Sequence, residues 1–293
     1  MMIAPTSLLN PVAFLSPLAI DAAVVRALDE DLGCAGDVTS ISTIPETTPA
    51  RAIMVARQAG VIAGLPLAIA TFQKLSPDIG IEPHVRDGAT VKKGQHLLTI
   101  SGPARAVLTG ERTALNFVGR LSGVASLTAE YVQRTEGTKL RVTCTRKTTP
   151  GLRAMEKYAV RCGGGFNHRF GLDDAILIKD NHIAVAGGIT AVLQRARSFT
   201  GHLVKIEIEV DMLDQLREVL GTGLADVVLL DNMNTAELTE AVKLAQGRVV
   251  LEASGGVTLD SIAAIAATGV DYVSSGALTH SAPSFDVALD IEA

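Results

Sequence analysis

VKIEIEV (204–210), ADVVLLD (225–231), RVVLEAS (248–254) and VDYVSSG (270–276) are four apolar, β-rich runs that recur about every 22 residues. Helical patterns fill the intervals. DMLDQLREVLGTG ends on Gly221 and Gly223, NTAELTEAVKLAQG opens with a capping-box pair, Asn234 and Glu237, and TLDSIAAIAATG predicts a helix from near Thr258 that ends on Gly269. Strands that alternate with single helices make parallel βαβ units. Extending the pattern backwards adds LRVTCTR (140–146) and AILIKD (175–180), which brings the strands to six. A doubly wound sheet shares this alternation. A barrel is preferred because the last residues of the strands are polar: Arg146, Lys179, Glu209, Asp231, Ser254 and Ser275. In a barrel these ends converge on one mouth.

The N-terminal part reads differently. The first twenty residues carry prolines at 5, 11 and 17 and no Lys or Arg, which argues against a signal peptide and predicts a flexible arm able to dock on a partner subunit. An amphipathic stretch follows at 21–31. Residues 50–110 then alternate short β runs with turns at Ala59-Gly60, Asp87-Gly88, Lys93-Gly94 and Gly102-Pro103. Part of this stretch resembles the hammerhead of carrier domains, but an ordinary antiparallel sheet is the preferred reading because the Met-Lys-Met-like tip of biotin or lipoate carriers is absent. From Gly110 to about Thr135 runs a long helical pattern, softly broken at Gly119 and Gly123. The boundaries expected are an arm at 1–20, an α/β sandwich at 21–115 joined by the tail 280–293, and a barrel at 116–279.

Composition narrows the chemistry. Hydrophobic residues make up 47% of the 293 and charged residues 19%, so the chain is globular. The aromatic content of 3% and net charge of −5 argue against a nucleic-acid binder, and no uncharged run other than the proline-interrupted first twenty residues has the length of a membrane span. Three cysteines without a CxxC pair suit a reducing, cytoplasmic setting. Between Arg141 and His182, eight cations face four carboxylates, leaving +4, so the rest of the −5 chain carries −9. A cationic island in an acidic protein points to an anionic ligand held locally. Arg153, Lys157 and Arg161, four apart, fit a solvated helix face, whereas Arg146, Lys147, Arg169 and Lys179 stand at strand ends or in the glycine-rich CGGGFNHRFGL (162–172). ASGGV (253–257) and SSGALTHS (274–281) follow the last two strands, where barrels often hold phosphate. Glu209 and Asp231 suit either Mg2+ or ribose hydroxyls, unless Asp231-Asn232 merely caps the next helix.

Seven stretches together closely resemble the quinolinate phosphoribosyltransferase family: ERTALNFVGRLSGVAS (111–126), TRKTTPGLR (145–153), EKYAVRCGGGFNHRFGLDDAILIKDNH (156–182), EIEVD (207–211), LLDNM (229–233), LEASGG (251–256) and VDYVSSGALTHS (270–281). The likeness runs from about Glu30 to Ser281. It implies an α/β fold, an open seven-stranded (β/α) barrel with an N-terminal α/β sandwich, working as a homodimer with shared active sites. It further implies that phosphoribosyl pyrophosphate reacts with quinolinate, with Mg2+ as the accompanying cofactor. Under it Arg146, His168, Arg169 and Lys179 would hold quinolinate, with Arg112 reaching in from the other subunit and Thr145 in the substrate-binding set. Lys147 would meet the phosphoribosyl group, Glu209 and Asp231 the ribose hydroxyls and Mg2+. Ser254, Gly255, Gly256, Ser275, Gly276 and Ala277 would hold the 5′-phosphate. Lys147, Glu209 and Asp231 are the residues expected to act on the reacting centre.

One departure is visible. The family commonly has Asp before Thr-Arg-Lys-Thr, where this chain has Cys144, and a packing change is expected there. Three other readings stay open: a pyrophosphorylase-like protein of molybdenum-uptake operons, a Schiff-base aldolase using Lys179, and a non-catalytic carrier.

Overall fold

A computed structural model describes residues 4–292. In chain order the first elements are α1 (Pro17–Leu32), α2 (Val38–Thr43), β1 (Pro49–Ala56), β2 (Gly60–Val61), α3 (Leu65–Leu75), β3 (Gly80–Pro83), β4 (Thr90–Val91), β5 (His96–Pro103) and α4 (Ala104–Gln133). There follow β6 (Arg141–Thr143), α5 (Arg153–Cys162), β7 (Ile176–Ile178), α6 (Asp180–Ala186), α7 (Ile189–Phe199), β8 (Ile206–Val210), α8 (Leu213–Thr222) and β9 (Val227–Asp231). The last are α9 (Thr235–Ala245), β10 (Val250–Ser254), α10 (Ile262–Ala267), β11 (Tyr272–Ser274), α11 (Ala277–His280) and β12 (Val287–Glu292). No helix among the described residues is long and apolar enough to cross a membrane.

The chain divides into two compact units. The first comprises Met1–Ala129, Thr149–Gly164 and Ser281–Ala293. Its antiparallel sheet has the order β12-β1-β5-β3, beside a small β2-β4 pair. Alternation along β1 and β5 turns Ala52, Met54, Leu98 and Ile100 into a core shared with Leu65, Ile69 and Phe72 of α3 and with Val107, Ala114 and Val118 of α4. The segment expected to be a flexible arm instead packs: Leu8 is buried in this core, the Asp87 N–H donates to its carbonyl, and α1 begins at Pro17. Met1 to Ile3 lie outside the described residues.

The single boundary expected after residue 115 also differs from the interleaved division found. The reason lies in α4, which runs unbroken through Gly119 and Gly123. A Cβ at Gly123 would stand 2.0 Å from the Pro283 carbonyl oxygen, and one at Gly119 3.2 Å from that of Phe285. These glycines admit the returning tail against the helix; they do not break it. Ser122 and Ser126 hydrogen-bond to the backbone of Ala63 and Val61, fastening α4 further to this unit.

Asp87 is the polar centre of the first unit. It is 1% exposed and accepts the N–H groups of Gly64 and Leu65 at 2.9 and 3.1 Å, at the start of α3. The Tyr158 hydroxyl on α5 donates to it at 2.9 Å, and that hydroxyl oxygen accepts the Asn10 N–H at 3.0 Å. Asp87→Ala strands three donors at once. It is expected to destabilise the chain by at least about 3 kcal/mol, read as a lower urea midpoint.

The second unit is Glu130–Thr148 with Gly165–His280. Its six strands are parallel, in the order β6-β11-β10-β9-β8-β7, and all six coincide with the runs identified in the sequence. Valine, isoleucine and leucine fill most of the buried positions, as strands covered on both faces require. A seventh strand position is reduced to one residue. Phe166 bridges to β6, donating to the Val142 carbonyl at 2.8 Å and accepting the Cys144 N–H at 3.2 Å. No ladder among the described residues joins Phe166 to β7, so the barrel is open there. Asn234 caps α9, its Oδ1 accepting the N–H groups of Ala236 and Glu237 while Glu237 accepts that of Asn234. The helix expected from near Thr258 starts only at Ile262 and has six residues. A helix dipole therefore does not account for an anion site at Gly255 and Gly256.

Candidate active site

The C-terminal ends of the six strands surround a cavity of about 820 Å3 that lies wholly within the second unit. Its wall includes Thr145, Arg146 and Lys147 after β6, His168 and Arg169 after Phe166, Lys179 after β7, and Glu209 and Asp231 at the ends of β8 and β9. The turns Ser254-Gly255-Gly256 and Ser275-Gly276-Ala277 complete it. Thus fourteen of the fifteen expected site residues line one cavity. Arg112 does not. It lies on α4 in the first unit, exposed, at a separate hollow with Asn116 and Asp286, and without a hydrogen-bond or ion-pair partner among the described residues.

The cations are held by local chemistry. Lys179 Nζ donates to Glu209 Oε2 at 2.7 Å. A Schiff-base lysine needs a free amine in an apolar pocket. This ion pair describes a charge-bearing side chain instead. Lys147 is fixed through its backbone: its N–H donates to Thr145 Oγ1 at 3.0 Å and its carbonyl accepts the Thr279 hydroxyl at 2.7 Å. A Cβ at Gly276 would meet Lys147 Cδ at 2.8 Å, so a side chain there would have to displace that of Lys147. Arg169 Nη1 donates to the Ala175 carbonyl at 3.2 Å. Burial, then the Arg146 charge, pull the Arg169 pKa below its ordinary value, against the opposing pull of Glu207 and Asp174.

The carboxylates and the phosphate-type turn are equally specific. Asn234 supplies the cap of α9, which leaves Asp231 at the cavity with its Oδ2 accepting from Asn232 Nδ2 at 2.7 Å. Burial and the neighbouring Glu209 raise the Asp231 carboxyl above its usual range, while Lys179 and Lys147 draw it back. Gly255 and Gly256 have φ of 95° and 60°, and a Cβ at Gly255 would stand 2.1 Å from Asn232 Oδ1. Asn232 itself has φ 55°, and its N–H donates to the Ser254 carbonyl at 2.9 Å. Two successive glycines with positive φ give the chain here a sharp turn that other residues rarely adopt.

Five buried side-chain atoms among the described residues lack a hydrogen-bond partner: Arg146 Nε, Arg169 Nε, Thr143 Oγ1, Glu207 Oε1 and Glu252 Oε1. All five lie at the mouth or one layer below it. Unsatisfied buried groups are rare in folded proteins and call for an explanation. The sequence reading missed Glu207 and Glu252. The signal for them was present in IEIEV and LEAS, where a charged residue two positions before a mouth residue shares its face of the strand. Cys144 is fully buried, 3.3 Å from Asn167 Oδ1, which makes this departure a packing feature behind the mouth.

Residues 37–122 match the family model for the quinolinate phosphoribosyl transferase N-terminal domain, and residues 124–290 match that for its C-terminal domain. The chain is 45% identical over 262 residues to a probable nicotinate-nucleotide pyrophosphorylase (carboxylating) of Bacillus subtilis, covering 89% of this chain and 90% of that one. It is 43% identical over 288 residues to the nicotinate-nucleotide pyrophosphorylase (carboxylating) of Mycobacterium leprae, covering 94% and 100%. The solved nicotinate-nucleotide pyrophosphorylase of Francisella tularensis superposes with a TM-score of 0.92 at 37% identity, covering 97% of this chain and 99% of that one. Matched in both domains and along nearly its whole length, the chain belongs to the quinolinate phosphoribosyl transferase family.

Proposed function

We propose that the barrel mouth is where this chain performs its family's reaction, the transfer of the phosphoribosyl group of phosphoribosyl pyrophosphate to quinolinate. The products are nicotinate mononucleotide, pyrophosphate and CO2, a step of NAD biosynthesis. The observation that carries the assignment is the convergence of Arg146, Lys147, Arg169 and Lys179 on one cavity of an acidic chain, two of them with a buried, unpartnered Nε. A dianionic pyridine supplies the missing acceptors, and arginine suits a two-point grip on carboxylate.

Arg146, Arg169 and Lys179 grip the quinolinate carboxylates. Thr145 and Lys147 meet the phosphoribosyl group, and the amides of Gly255 and Gly256, with Ser254 and the Ser275, Gly276 and Ala277 turn, take its 5′-phosphate. Glu209 and Asp231 accept from the ribose hydroxyls. They would also hold the Mg2+ that accompanies phosphoribosyl pyrophosphate, since hard oxygen donors suit that ion and a like-charge pair is relieved by a cation. The pyridine nitrogen forms a bond to C1 of the ribose as the C1–O bond breaks and its electron pair leaves with pyrophosphate. Positive charge grows at C1 in that transition state, and the two carboxylates stabilise it. The resulting pyridinium withdraws electrons, so the C2 carboxylate leaves as CO2 and a proton takes its place.

The site is completed by a second copy of the chain. Arg112 is exposed and has no partner among the described residues, and in this reading Arg112 of the partner subunit enters the mouth as a further quinolinate ligand. The working unit is then a homodimer with two shared sites.

Arg169→Ala and Lys179→Ala test the assignment. Each removes a charge-assisted contact worth roughly 1.5–3 kcal/mol, so quinolinate affinity is expected to fall about 10- to 150-fold. The melting temperature should barely move, because mouth cations contribute little to folding. Calorimetry showing wild-type affinity in both variants would remove these residues from the site.

A further inference from the structure

Side chains two apart on a strand share a face. One layer below Glu209 and Ser254 stand Glu207 and Glu252, 8% and 5% exposed. Barrel interiors are ordinarily filled with branched apolar side chains, so two acids here demand partners. His168 supplies one. Its Nε2 lies 2.9 Å from Glu207 Oε2 and 3.7 Å from Glu252 Oε1, and one donor atom from each of the three side chains falls within a 4.8 Å group. The other ring nitrogen, Nδ1, accepts the backbone N–H of Arg169 at 2.8 Å. A nitrogen that accepts carries no proton, which places the ring proton on Nε2, directed at Glu207. Both nitrogens are therefore engaged within the chain, and His168 stands behind Arg169 as its support.

We propose that Glu207 and Glu252 are positioning residues for quinolinate, acting through His168 to hold the Arg169 guanidinium in the mouth. The inference rests on the assignment of Arg169 to quinolinate made above. Glu207 accepts from His168 and opposes the lowering of the Arg169 pKa that burial imposes. Glu252 is the neutral member, because two carboxylates this close and this dry do not both ionise. The groups facing it are Glu207 on β8, His168 after Phe166 and Ser274 on β11. Burial first, and then the Glu207 charge, push the Glu252 carboxyl up to about 7, against the pull of His168 and Ser274.

Steady-state kinetics of the whole enzyme, with each substrate varied at saturation of the other, tests this. Glu207→Gln loses the anionic acceptor and is expected to raise the KM for quinolinate at least about 10-fold, with a smaller change in kcat and less than about twofold in the KM for phosphoribosyl pyrophosphate. Glu252→Leu should do the same, while Glu252→Gln, a neutral donor of the same shape, should restore most of that loss. In a His168→Ala background Glu252→Leu should add less than about threefold, since residues acting through one another are not additive. A wild-type quinolinate KM in Glu207→Gln overturns the proposal, as does an equal rise in both KM values, the mark of a merely structural role, or full additivity with His168→Ala. An Arg169→Ala enzyme with wild-type quinolinate KM would instead overturn the site assignment itself. If Arg169→Ala raises that KM and Glu207→Gln does not, only the positioning role falls.

Discussion

Arg112→Ala and Lys179→Ala homodimers are each expected to be nearly inactive, and mixing them under subunit exchange is expected to restore activity. Each active site in the proposed dimer takes Lys179 from one subunit and Arg112 from the other. Either single substitution thus damages both sites of its own homodimer, removing a charge-assisted contact and lowering kcat/KM by about 10- to 150-fold or more. A heterodimer segregates the lesions. One of its sites carries both substitutions and the other carries neither. A statistical mixture is half heterodimer, so up to about a quarter of wild-type sites should reappear under twofold symmetry. Two lesions acting within one chain cannot complement in this way. Exchange is verified by native mass spectrometry of differently tagged subunits. Verified exchange without recovered activity places Arg112 outside the shared site and removes the case for a composite mouth.

The repeating part of the chain was legible because its signals are local. A β-branched run closed by a polar residue announces a strand and its mouth end together, and all six runs became strands with their polar termini at one cavity. Asn234 and Glu237 sit three apart in sequence and form the capping box their spacing implies. Failures arose where the deciding contact is distant. Gly119 and Gly123 read as helix breaks because the tail they admit, Pro283 to Phe285, is more than a hundred residues away in sequence. Leu8 sits in an uncharged, proline-broken run whose burial depends on a core assembled by later elements. Phe166 carries no strand pattern at all, since its strand position is a single bridged residue. Glu207 and Glu252 are the most instructive case. Each looks like a solvent-side charge until closure of the sheet turns that face inward, and only then does His168, reached through the glycine loop, come within bonding distance.

Nicotinate is expected to be a poor substrate, with kcat/KM at least about 10- to 150-fold below that for quinolinate, because the mouth is arranged for two carboxylates. Arg146 and Arg169 are close enough for the first to depress the pKa of the second, and each has a buried Nε without an acceptor. Bringing two cations together out of water is unfavourable unless anions arrive to match them. Quinolinate brings two and relieves both guanidinium groups. Nicotinate lacks the C2 carboxylate, so it leaves one arginine charged, desolvated and still repelled by its neighbour. That unpaired group is present in the ground-state complex and persists in the transition state, so the penalty falls on kcat/KM chiefly through a higher KM. The chemistry adds a second discrimination. With quinolinate, CO2 and pyrophosphate should be released in equal amounts, since the C2 carboxylate leaves once the ring nitrogen has become a pyridinium. Parallel assays of pyrophosphate and of CO2 with both acids measure the two effects separately. Nicotinate turnover comparable to that of quinolinate would mean that the paired arginines face something other than a diacid, and pyrophosphate released from quinolinate without CO2 would mean that transfer and decarboxylation are not joined in this site.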